Sequence, residues 1–311
     1  MFGIGCLFFI RRWMFDVHLV KTTSNLRAVE RVLIKILMEN NIVKTLVLTG
    51  YGLNCDNETA YAFELAGAQV TRVHINSLVD GSVVLDDFKI MVFGGGFSWG
   101  DDHGAGVIQA VRMKTNIGEN ILEFIDKGNL VVGICNGFQT LVNIGLLPGL
   151  DNDYKKRSVA VTYNDCGNFV DNWVTLKVNP KSPCIFTRGL NKLEFPVRHG
   201  EGKFYSDSKT IKRLVENNQV AVQYAMPDGR PAKGKFPFNP NGSLSDIAGI
   251  CDPTGRIFGL MPHPEAYNHF TNHPDWTRNK EKEKRSKVKI DPGPTIGISI
   301  FKNAIDYIRN V

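Results

Sequence analysis

The chain has 311 residues, of which 43% are hydrophobic, as expected of one large globular domain with short extensions. Its formal net charge of +6 comes from two basic segments, residues 1–37 and 278–289, so it does not indicate a nucleic-acid-binding body. No apolar run approaches the ~20 residues of a membrane helix, and Arg11 and Arg12 follow the apolar start, whereas a secretory signal carries its charge before it. We therefore expect a cytoplasmic protein that binds neither nucleic acid nor membrane.

Short apolar stretches alternate with helical patterns from residue 43 to residue 145. The predicted strands are Lys44–Thr49, Gln69–Ile75, Phe88–Phe93 and Asn129–Ile134. The predicted helices are Asn57–Ala66, Ile117–Asp126 and Phe138–Ile144. Strands that alternate with helices over short connections predict an α/β fold, with a mostly parallel central sheet covered by helices on both faces. Because Asn129–Ile134 is almost wholly apolar, we expect it to be a central strand.

The pattern changes after Ser158, where short β-rich stretches are separated by Pro, Gly and Asn. These stretches predict antiparallel additions to the sheet, including one hairpin, and a helix closes the chain. In chain order they are Val159–Tyr163, Trp173–Val178, Val220–Ala225, the hairpin of Asp246–Ile250 with Arg256–Met261, and the helix Ile298–Ile308. We expect residues 43–275 to form the main domain, on which the basic segment and helix of residues 276–311 pack.

Residues 1–42 form an N-terminal extension for which two interpretations stay open. Met38 stands just before the first strand, which indicates a start there and dispensable residues 1–37. Alternatively, Ser24 caps a helix whose apolar residues recur at helical spacing. These apolar residues are Leu26, Val29, Leu33 and Leu37.

One motif carries the strongest indication of chemistry: Gly133-Ile-Cys135-Asn-Gly137 follows the most apolar strand and opens a helix. A strand that turns abruptly into a helix has room only for small residues two positions before and after the turn. The residue at the turn is strained and exposed to substrate, and the start of the helix favours a thiolate there. The six cysteines contain no C-x-x-C pair, so reduced thiols are expected. We predict that Cys135 is a nucleophile; a buried structural cysteine is the alternative.

A nucleophile needs a base and a group that orients the base. His263 and Glu265 in Met261-Pro-His-Pro-Glu265 suit these two roles. The histidine follows a predicted strand, so it should lie at the edge of the sheet, and the proline between the two limits their flexibility. The sequence therefore predicts a triad of Cys135, His263 and Glu265.

Acyl transfer also needs hydrogen-bond donors for the developing oxyanion. Gly94-Gly95-Gly96-Phe97 follows another predicted parallel strand, so it can present backbone N–H groups at the same edge of the sheet. The N–H of Asn136 can supply a second donor. A phosphate-binding loop is the alternative for these glycines, but they lack the G-x-G-x-x-G spacing.

Further short motifs lie in a fixed order between residues 95 and 265. They are Gly95-Gly96-Phe-Ser-Trp-Gly-Asp101, Gly133-Ile-Cys-Asn-Gly-Phe-Gln139, His199-Gly-Glu-Gly202, Asn239-Pro-Asn-Gly-Ser243, Asp246-Ile-Ala-Gly249 and Met261-Pro-His-Pro-Glu265. In number and order, these motifs resemble the family of glutaminase subunits of phosphoribosylformylglycinamidine synthase, which are class I cysteine-triad amidotransferases. The resemblance runs from about Lys44 to His263 and beyond.

The resemblance implies a flavodoxin-like amidotransferase fold and a place in the fourth step of purine biosynthesis. It implies that Cys135 forms a γ-glutamyl thioester, that His263 moves the protons and that Glu265 orients His263. The residues that it places around the oxyanion and the substrate are Gly95, Gly96, Phe97, Asn136 and Gln139. Of these, Gly96 and Asn136 would donate to the oxyanion, and Gln139 would help to hold the amino-acid end of glutamine.

The resemblance also implies partners. Released ammonia would pass to a large ATP-dependent synthetase that converts formylglycinamide ribonucleotide to formylglycinamidine ribonucleotide, with a small third subunit. ATP and Mg²⁺ would bind to that partner, so no cofactor or metal is expected in this chain. The sequence departs from the family at Gly94, where proline is usual, at Asp102-His103-Gly104 and at Ala266. These departures concern docking more than chemistry.

Other interpretations stay open beside this one. The chain could serve another synthetase, or it could be a peptidase or deglycase-like protein, although those usually place histidine where this chain has Asn136. A regulatory domain that senses glutamine would not need the complete triad. A zinc site of His263, His269 and His273 lacks a nearby cysteine as a fourth ligand.

Overall fold

The computed structural model describes residues 42–286 and 295–311. Within them, the chain from Val43 onward forms one compact unit. The proposed start at Met38 and the alternative helix capped by Ser24 lie outside the described residues. No helix in the described part of the chain is both long enough and apolar enough to cross a membrane.

Strands and helices alternate through the first half of this unit, as predicted. The strands are β1 (Lys44–Thr49), β2 (Gln69–His74), β3 (Ile90–Phe93), β4 (Leu130–Ile134), β5 (Ala160–Tyr163), β6 (Val170–Val178), β7 (Lys192–His199), β8 (Glu201–Tyr205), β9 (Val220–Ala225), β10 (Ile247–Cys251) and β11 (Ile257–Leu260). The helices are α1 (Asp56–Leu65), α2 (Ile75–Val79), α3 (Val107–Asp126), α4 (Asn136–Ile144), α5 (Ser208–Glu216), α6 (Trp276–Ser286) and α7 (Ile296–Asn310).

Over the described residues, nine strands form one sheet in the order β2-β1-β3-β4-β11-β10-β9-β6-β7. Neighbouring strands from β2 to β11 are parallel, and those from β11 to β7 are antiparallel. The strands β5 and β8 pair separately as a two-stranded antiparallel sheet. The predicted fold class, a parallel central sheet with antiparallel additions, is confirmed, as is the hairpin of β10 and β11.

Burial explains why β3 and β4 form the centre of the sheet. Every residue of both strands is buried, as is usual for a parallel strand that is covered on both faces. The helix α1 packs against α7, where the rings of Phe63 and Phe301 lie 4.8 Å apart, and α3 packs against α4. The closing helix therefore belongs to the core of the main domain.

Several elements were missed or misplaced by the sequence patterns, each for a physical reason. The strand β7 contains Pro196, which argues against a strand, but β7 is an edge strand and tolerates proline. The helix α5 is short and fully buries only Leu214, and α6 buries no residue, so each offers few core positions by which its sequence can be identified. The helix α3 begins at Val107, ten residues before the prediction, and its backbone departs from helical geometry at Ile117.

Candidate active site

The strand β4 turns into α4 at Cys135, which is buried and has φ 51° and ψ −107°. This conformation is strained for a residue with a side chain, and such strain concentrates at functional sites. Two glycines make the turn possible. A Cβ at Gly133 would lie 2.6 Å from the Gly137 carbonyl oxygen, and a Cβ at Gly137 would lie 1.9 Å from the Phe93 carbonyl oxygen. The predicted elbow geometry is therefore confirmed.

Three neighbouring parallel strands bring the predicted site residues to one edge of the sheet. The strands β3 and β4 pair Phe93 with Gly133, and β4 and β11 pair Ile134 with Leu260. The N–H of Cys135 donates to the carbonyl oxygen of Leu260 at 2.8 Å. The glycine loop, the cysteine and the histidine each follow one of these strands, so they meet where the strands end.

His263 and Glu265 form a buried pair beside the elbow. The Nδ1 atom of His263 lies 2.6 Å from Oε1 of Glu265, and the backbone N–H of His263 donates to the Pro196 carbonyl oxygen at 2.8 Å. Because Nδ1 is bound to the carboxylate, Nε2 is the ring atom left for chemistry. Nε2 makes no hydrogen bond with any residue that the structure describes.

The charge state of His263 follows from the same neighbours. Burial alone would lower the pKa of His263, but the carboxylate of Glu265 and the sulfur of Cys135 outweigh burial and hold this pKa well above its usual value. A protonated imidazole at this position carries the proton that the leaving nitrogen of an acyl transfer needs. The Cys135 sulfur itself lies 3.7 Å from the carbonyl oxygen of Arg198.

The predicted oxyanion loop packs against His263. A Cβ at Gly95 would lie 2.8 Å from Cε1 of His263, and a Cβ at Gly96 would lie 2.5 Å from the carbonyl oxygen of Gly52. Neither position has room for a side chain, so only a bare backbone fits beside the site. The N–H of Phe97 donates to the same Gly52 oxygen at 2.9 Å, so this amide is used within the loop.

Asn136 and Gln139 lie buried on the first turn of α4. The side-chain NH₂ of Asn136 donates to Asp101 at 3.0 Å and to Oε1 of Gln139 at 3.2 Å, and its oxygen accepts from the N–H of Ser98 at 3.4 Å. The NH₂ of Gln139 donates to the carbonyl oxygen of Glu201. Both ends of the Gln139 amide are therefore bonded within the protein. The backbone N–H of Asn136 begins the helix and has no intrahelical acceptor.

Asp101 and Glu201 form an acidic pair to which the sequence analysis gave no role. Burial, followed by the charge of Glu201, raises the pKa of Asp101 to about 6. A carboxylate of Glu201 accepts from the N–H of Ala105 at 3.3 Å. Both acids belong to motifs quoted above, at the end of the first and within the third. The sequence signal was therefore present, although Asp101 and Glu201 are 100 residues apart in the chain.

His199 also belongs to the third motif, and it lies in a buried polar network. Its Nδ1 lies 3.1 Å from Oδ1 of Asn164, and its Nε2 lies 3.4 Å from the NH₂ of Asn241. Burial, and then the charge of His263, lower the pKa of His199 to about 4. His199 therefore stays neutral at physiological pH and supports the strand end rather than moving protons.

The three histidines considered as a zinc site do not come together. The ring of His269 bonds to Thr271 at 2.7 Å, and Nε2 of His273 lies 3.4 Å from Glu194. Only His263 of the three belongs to a group of at least three metal-binding side chains among the described residues.

Cys55, which the sequence did not single out, completes that group with His263 and Glu265. One ligand atom from each lies within 4.8 Å of the others, and all three residues are buried. Burial raises the pKa of the Cys55 thiol, against a smaller lowering by His263. Two cysteines, Cys55 and Cys135, therefore lie beside His263 in the active site.

Comparisons with known proteins agree with this geometry. The family model of the CobB/CobQ-like glutamine amidotransferase domain matches residues 42–308. Phosphoribosylformylglycinamidine synthase subunit PurQ of Methanococcus maripaludis is 46% identical over 268 residues, which cover 86% of this chain and 98% of that protein. The subunit PurQ of Dehalococcoides mccartyi is 45% identical and covers 86% of this chain and 99% of its own length.

A solved structure gives the same result in three dimensions. A chain in the structure of PurLQS from Thermotoga maritima matches with a TM-score of 0.60 and 26% identity, over 86% of this chain and 99% of that chain. The relatives favour an amidotransferase over a peptidase or deglycase of similar architecture. The chain therefore belongs to the CobB/CobQ-like glutamine amidotransferase family, and within it to the PurQ subunits of phosphoribosylformylglycinamidine synthase.

Proposed function

We propose that this chain hydrolyses glutamine at Cys135 and supplies the ammonia to a synthetase that makes formylglycinamidine ribonucleotide. One observation carries the assignment of the site: a strained cysteine at a strand-to-helix turn lies beside a buried His263–Glu265 pair. Family membership supplies the substrate and the reaction, and the geometry supplies the roles of the residues.

Acylation begins when the Cys135 sulfur attacks Cδ of the glutamine side-chain amide. The C=O electron pair moves onto oxygen, and backbone N–H groups of Gly96 and Asn136 stabilise the oxyanion. The C–N bond then breaks as the carbonyl re-forms, and His263 gives its Nε2 proton to the leaving nitrogen. The products of this step are ammonia and a thioester on Cys135.

Deacylation repeats the step with water. Nε2 of His263 removes a proton from the water as its oxygen attacks the thioester carbonyl, and the C–S bond breaks to restore Cys135 and release glutamate. Glu265 keeps Nδ1 occupied at 2.6 Å, so that Nε2 always faces the reaction, and it stabilises the imidazolium. The overall balance is glutamine and water to glutamate and ammonia.

The acidic pair supports a position for the rest of the substrate. Asp101 is hydrogen-bonded to the side chain of Asn136, next to the nucleophile, and burial and the charge of Glu201 raise its pKa. A cation bound there would stabilise the ionised carboxylate. The α-ammonium group of glutamine would supply that cation between Asp101 and Glu201. Gln139 would then act indirectly, because it holds Asn136 and Glu201 in place.

Partner control is supported by the loop that follows β3. Its residues Trp99, Asp101 and His103 all have positive φ, so the loop is held in a strained conformation. We propose that contact with the ATP-dependent synthetase, and with a small third subunit, completes the oxyanion site around Gly95–Ser98. Ammonia would then be released only when the partner can use it.

A glutamine-like electrophile tests the assignment of the site directly. Peptide mapping should find the label on Cys135 and should not find it on the other free cysteines, which are Cys55, Cys166, Cys184 and Cys251. A label on any of those four residues would contradict the proposal. Adding the synthetase partner should raise the glutaminase rate; an equal rate without the partner would contradict control by the loop.

A further inference from the structure

Cys55 lies inside the active site, yet the proposed reaction does not use it. It is the N-cap residue of α1 and is buried, and its N–H donates to the carbonyl oxygen of Gly95 at 3.3 Å. A Cβ built on Gly95 would lie 3.1 Å from the Cys55 sulfur and 2.8 Å from Cε1 of His263. The thiol therefore sits under the oxyanion loop, at the edge of the imidazole.

Three donor atoms of different chemistry meet at this point. The sulfur of Cys55, a ring nitrogen of His263 and a carboxylate oxygen of Glu265 lie within 4.8 Å of one another. In addition, Oε2 of Glu265 is buried without a hydrogen-bond partner among the described residues. Buried polar atoms without partners are costly, so a ligand that engages them would be stabilised.

We propose that Cys55, His263 and Glu265 form a binding site for one thiophilic divalent cation of the zinc class, and that its binding stops glutamine hydrolysis. A thiolate, an imidazole and a carboxylate are the ligands that Zn²⁺ takes in proteins. Three protein ligands leave a fourth position for water. The two negative ligands neutralise the charge of the cation, which a buried site requires.

The geometry needs only a small adjustment. Zinc bonds of about 2.0–2.3 Å at tetrahedral angles place ligand atoms about 3.5 Å apart. The donors, which lie within 4.8 Å of one another, would therefore close by roughly 1.3 Å at most. Nδ1 of His263 and Oε1 of Glu265, which now lie 2.6 Å apart, would separate by about 1 Å. Mg²⁺ is not a competitor, because it prefers oxygen ligands and holds its waters, whereas this site offers sulfur and nitrogen. Zinc control would therefore be separate from the Mg²⁺ expected in the synthetase.

Inhibition follows because the cation and the reaction need the same atoms. A cation bound to His263 and Glu265 removes the hydrogen bond that orients the ring, and it prevents the ring from moving protons. This second half of the inference rests on the proposed function, whereas cation binding itself does not. The two can be measured separately.

The binding test uses the full chain with the Cys135→Ala change, which removes the other active-site thiol. Cobalt(II) is the probe, because a cobalt–thiolate bond gives a charge-transfer absorbance, and zinc should displace it. We expect one cobalt ion per chain, and the charge-transfer absorbance should be lost when Cys55→Ser is added, because no thiolate then remains at the site. The control, Cys166→Ser at an exposed thiol, should leave the titration unchanged.

Two results of this titration would overturn the site. One is the absence of any cobalt–thiolate absorbance; the other is a titration that survives Cys55→Ser but is lost when Cys184→Ser or Cys251→Ser is made. Circular dichroism checks that each variant folds. If Cys55→Ser does not fold, Cys55→Ala and His263→Ala serve in its place, and both should lose the absorbance.

The inhibition test uses the wild-type chain with its synthetase partner. Zinc should inhibit glutamine hydrolysis, a chelator should restore it, and Cys55→Ser should need at least about 10-fold more zinc for half inhibition. Equal sensitivity of wild type and Cys55→Ser would place the inhibitory zinc on Cys135 and overturn the proposal. Failure of the proposed function would show differently, as glutamine turnover that persists in Cys135→Ala.

Discussion

The two sides of the active site are built in different ways. On the elbow side, Cys135 is fixed between a central strand and a helix, and Gly133 and Gly137 are in contact with neighbouring backbone. On the loop side, the chain between β3 and α3 carries positive φ values at residues such as Trp99, and it holds the half-buried carboxylate of Asp101, whose pKa is raised. Packing stabilises the first side. The second side carries backbone strain and a carboxylate without a compensating charge, and both are destabilising.

This difference suggests a division of labour. A nucleophile must stand within a fraction of an ångström of its position, so it belongs on rigid elements. Groups that recognise substrate or respond to a partner must be able to move, so they belong on a loop of lower local stability. Substitutions on the elbow side should therefore affect chemistry or folding, and those on the loop side should affect binding and control.

The largest effect is expected from Cys135→Ala, since it removes the sulfur that forms the thioester. Glutamine turnover in the complex with the synthetase should fall by about 10⁴-fold or more, whereas the melting temperature should stay near that of the wild type. Steady-state ammonia release and a thermal melt measure both. Turnover close to wild type in this variant would remove Cys135 from the mechanism.

Glu265→Gln should have the next largest effect. The amide keeps the shape of the side chain but removes the charge that raises the pKa of His263 and fixes its tautomer. We expect kcat to fall by about 10²- to 10⁴-fold with little change in KM. A loss confined to KM would mean that Glu265 binds substrate instead of orienting the base.

The same division explains how far the sequence alone could predict the site. The elbow side depends on local rules, because glycine spacing around Cys135 and apolar runs at β4 identify it within a few residues. The predicted pairing of His263 with Glu265 is equally local and is observed. Such rules also predicted the parallel half of the sheet.

The glycine loop was predicted by the same kind of rule, but the long-range contacts around it could not be predicted in this way. Cys55 and His263 are more than two hundred residues apart in the sequence, and Asp101, in the loop after β3, interacts with Glu201 at the start of β8, so only the fold brings each pair together. The strand β7 was not predicted for a similar reason, because its proline is acceptable only at a sheet edge, and the position of a strand in the sheet depends on the fold. Residue types indicated that these positions mattered, but their partners depend on tertiary structure.

The same type of substitution, glycine to alanine, can be made on each side of the active site to test this comparison. In Gly137→Ala, the added Cβ would lie 1.9 Å from the backbone oxygen of Phe93, so we expect a loss of about 3 kcal/mol or more in unfolding free energy. In Gly95→Ala, the Cβ would lie 2.8 Å from a side-chain atom of His263 and not from backbone, so activity should fall with a smaller loss of stability. Urea unfolding and turnover of both variants provide the measurement; equal losses of stability would remove the distinction.

The smallest effect is expected from Asp101→Asn. This change should weaken glutamine binding but stabilise the folded protein. Loss of a charged contact to the α-ammonium group should raise KM for glutamine by about 10-fold or more, with little change in kcat.

The folded-state pKa of Asp101, about 6, lies above the ordinary 3.8, so the folded wild type holds this proton more tightly than the unfolded chain does. The wild type therefore loses stability as pH rises through this window, and the variant does not. Asp101→Asn should melt higher than wild type above about pH 6, and the difference should shrink toward about pH 4. Melting curves across this pH range test the stability prediction. The KM of the wild type for glutamine should also rise as pH falls through about 6. A variant with unchanged KM would mean that Asp101 does not bind glutamine.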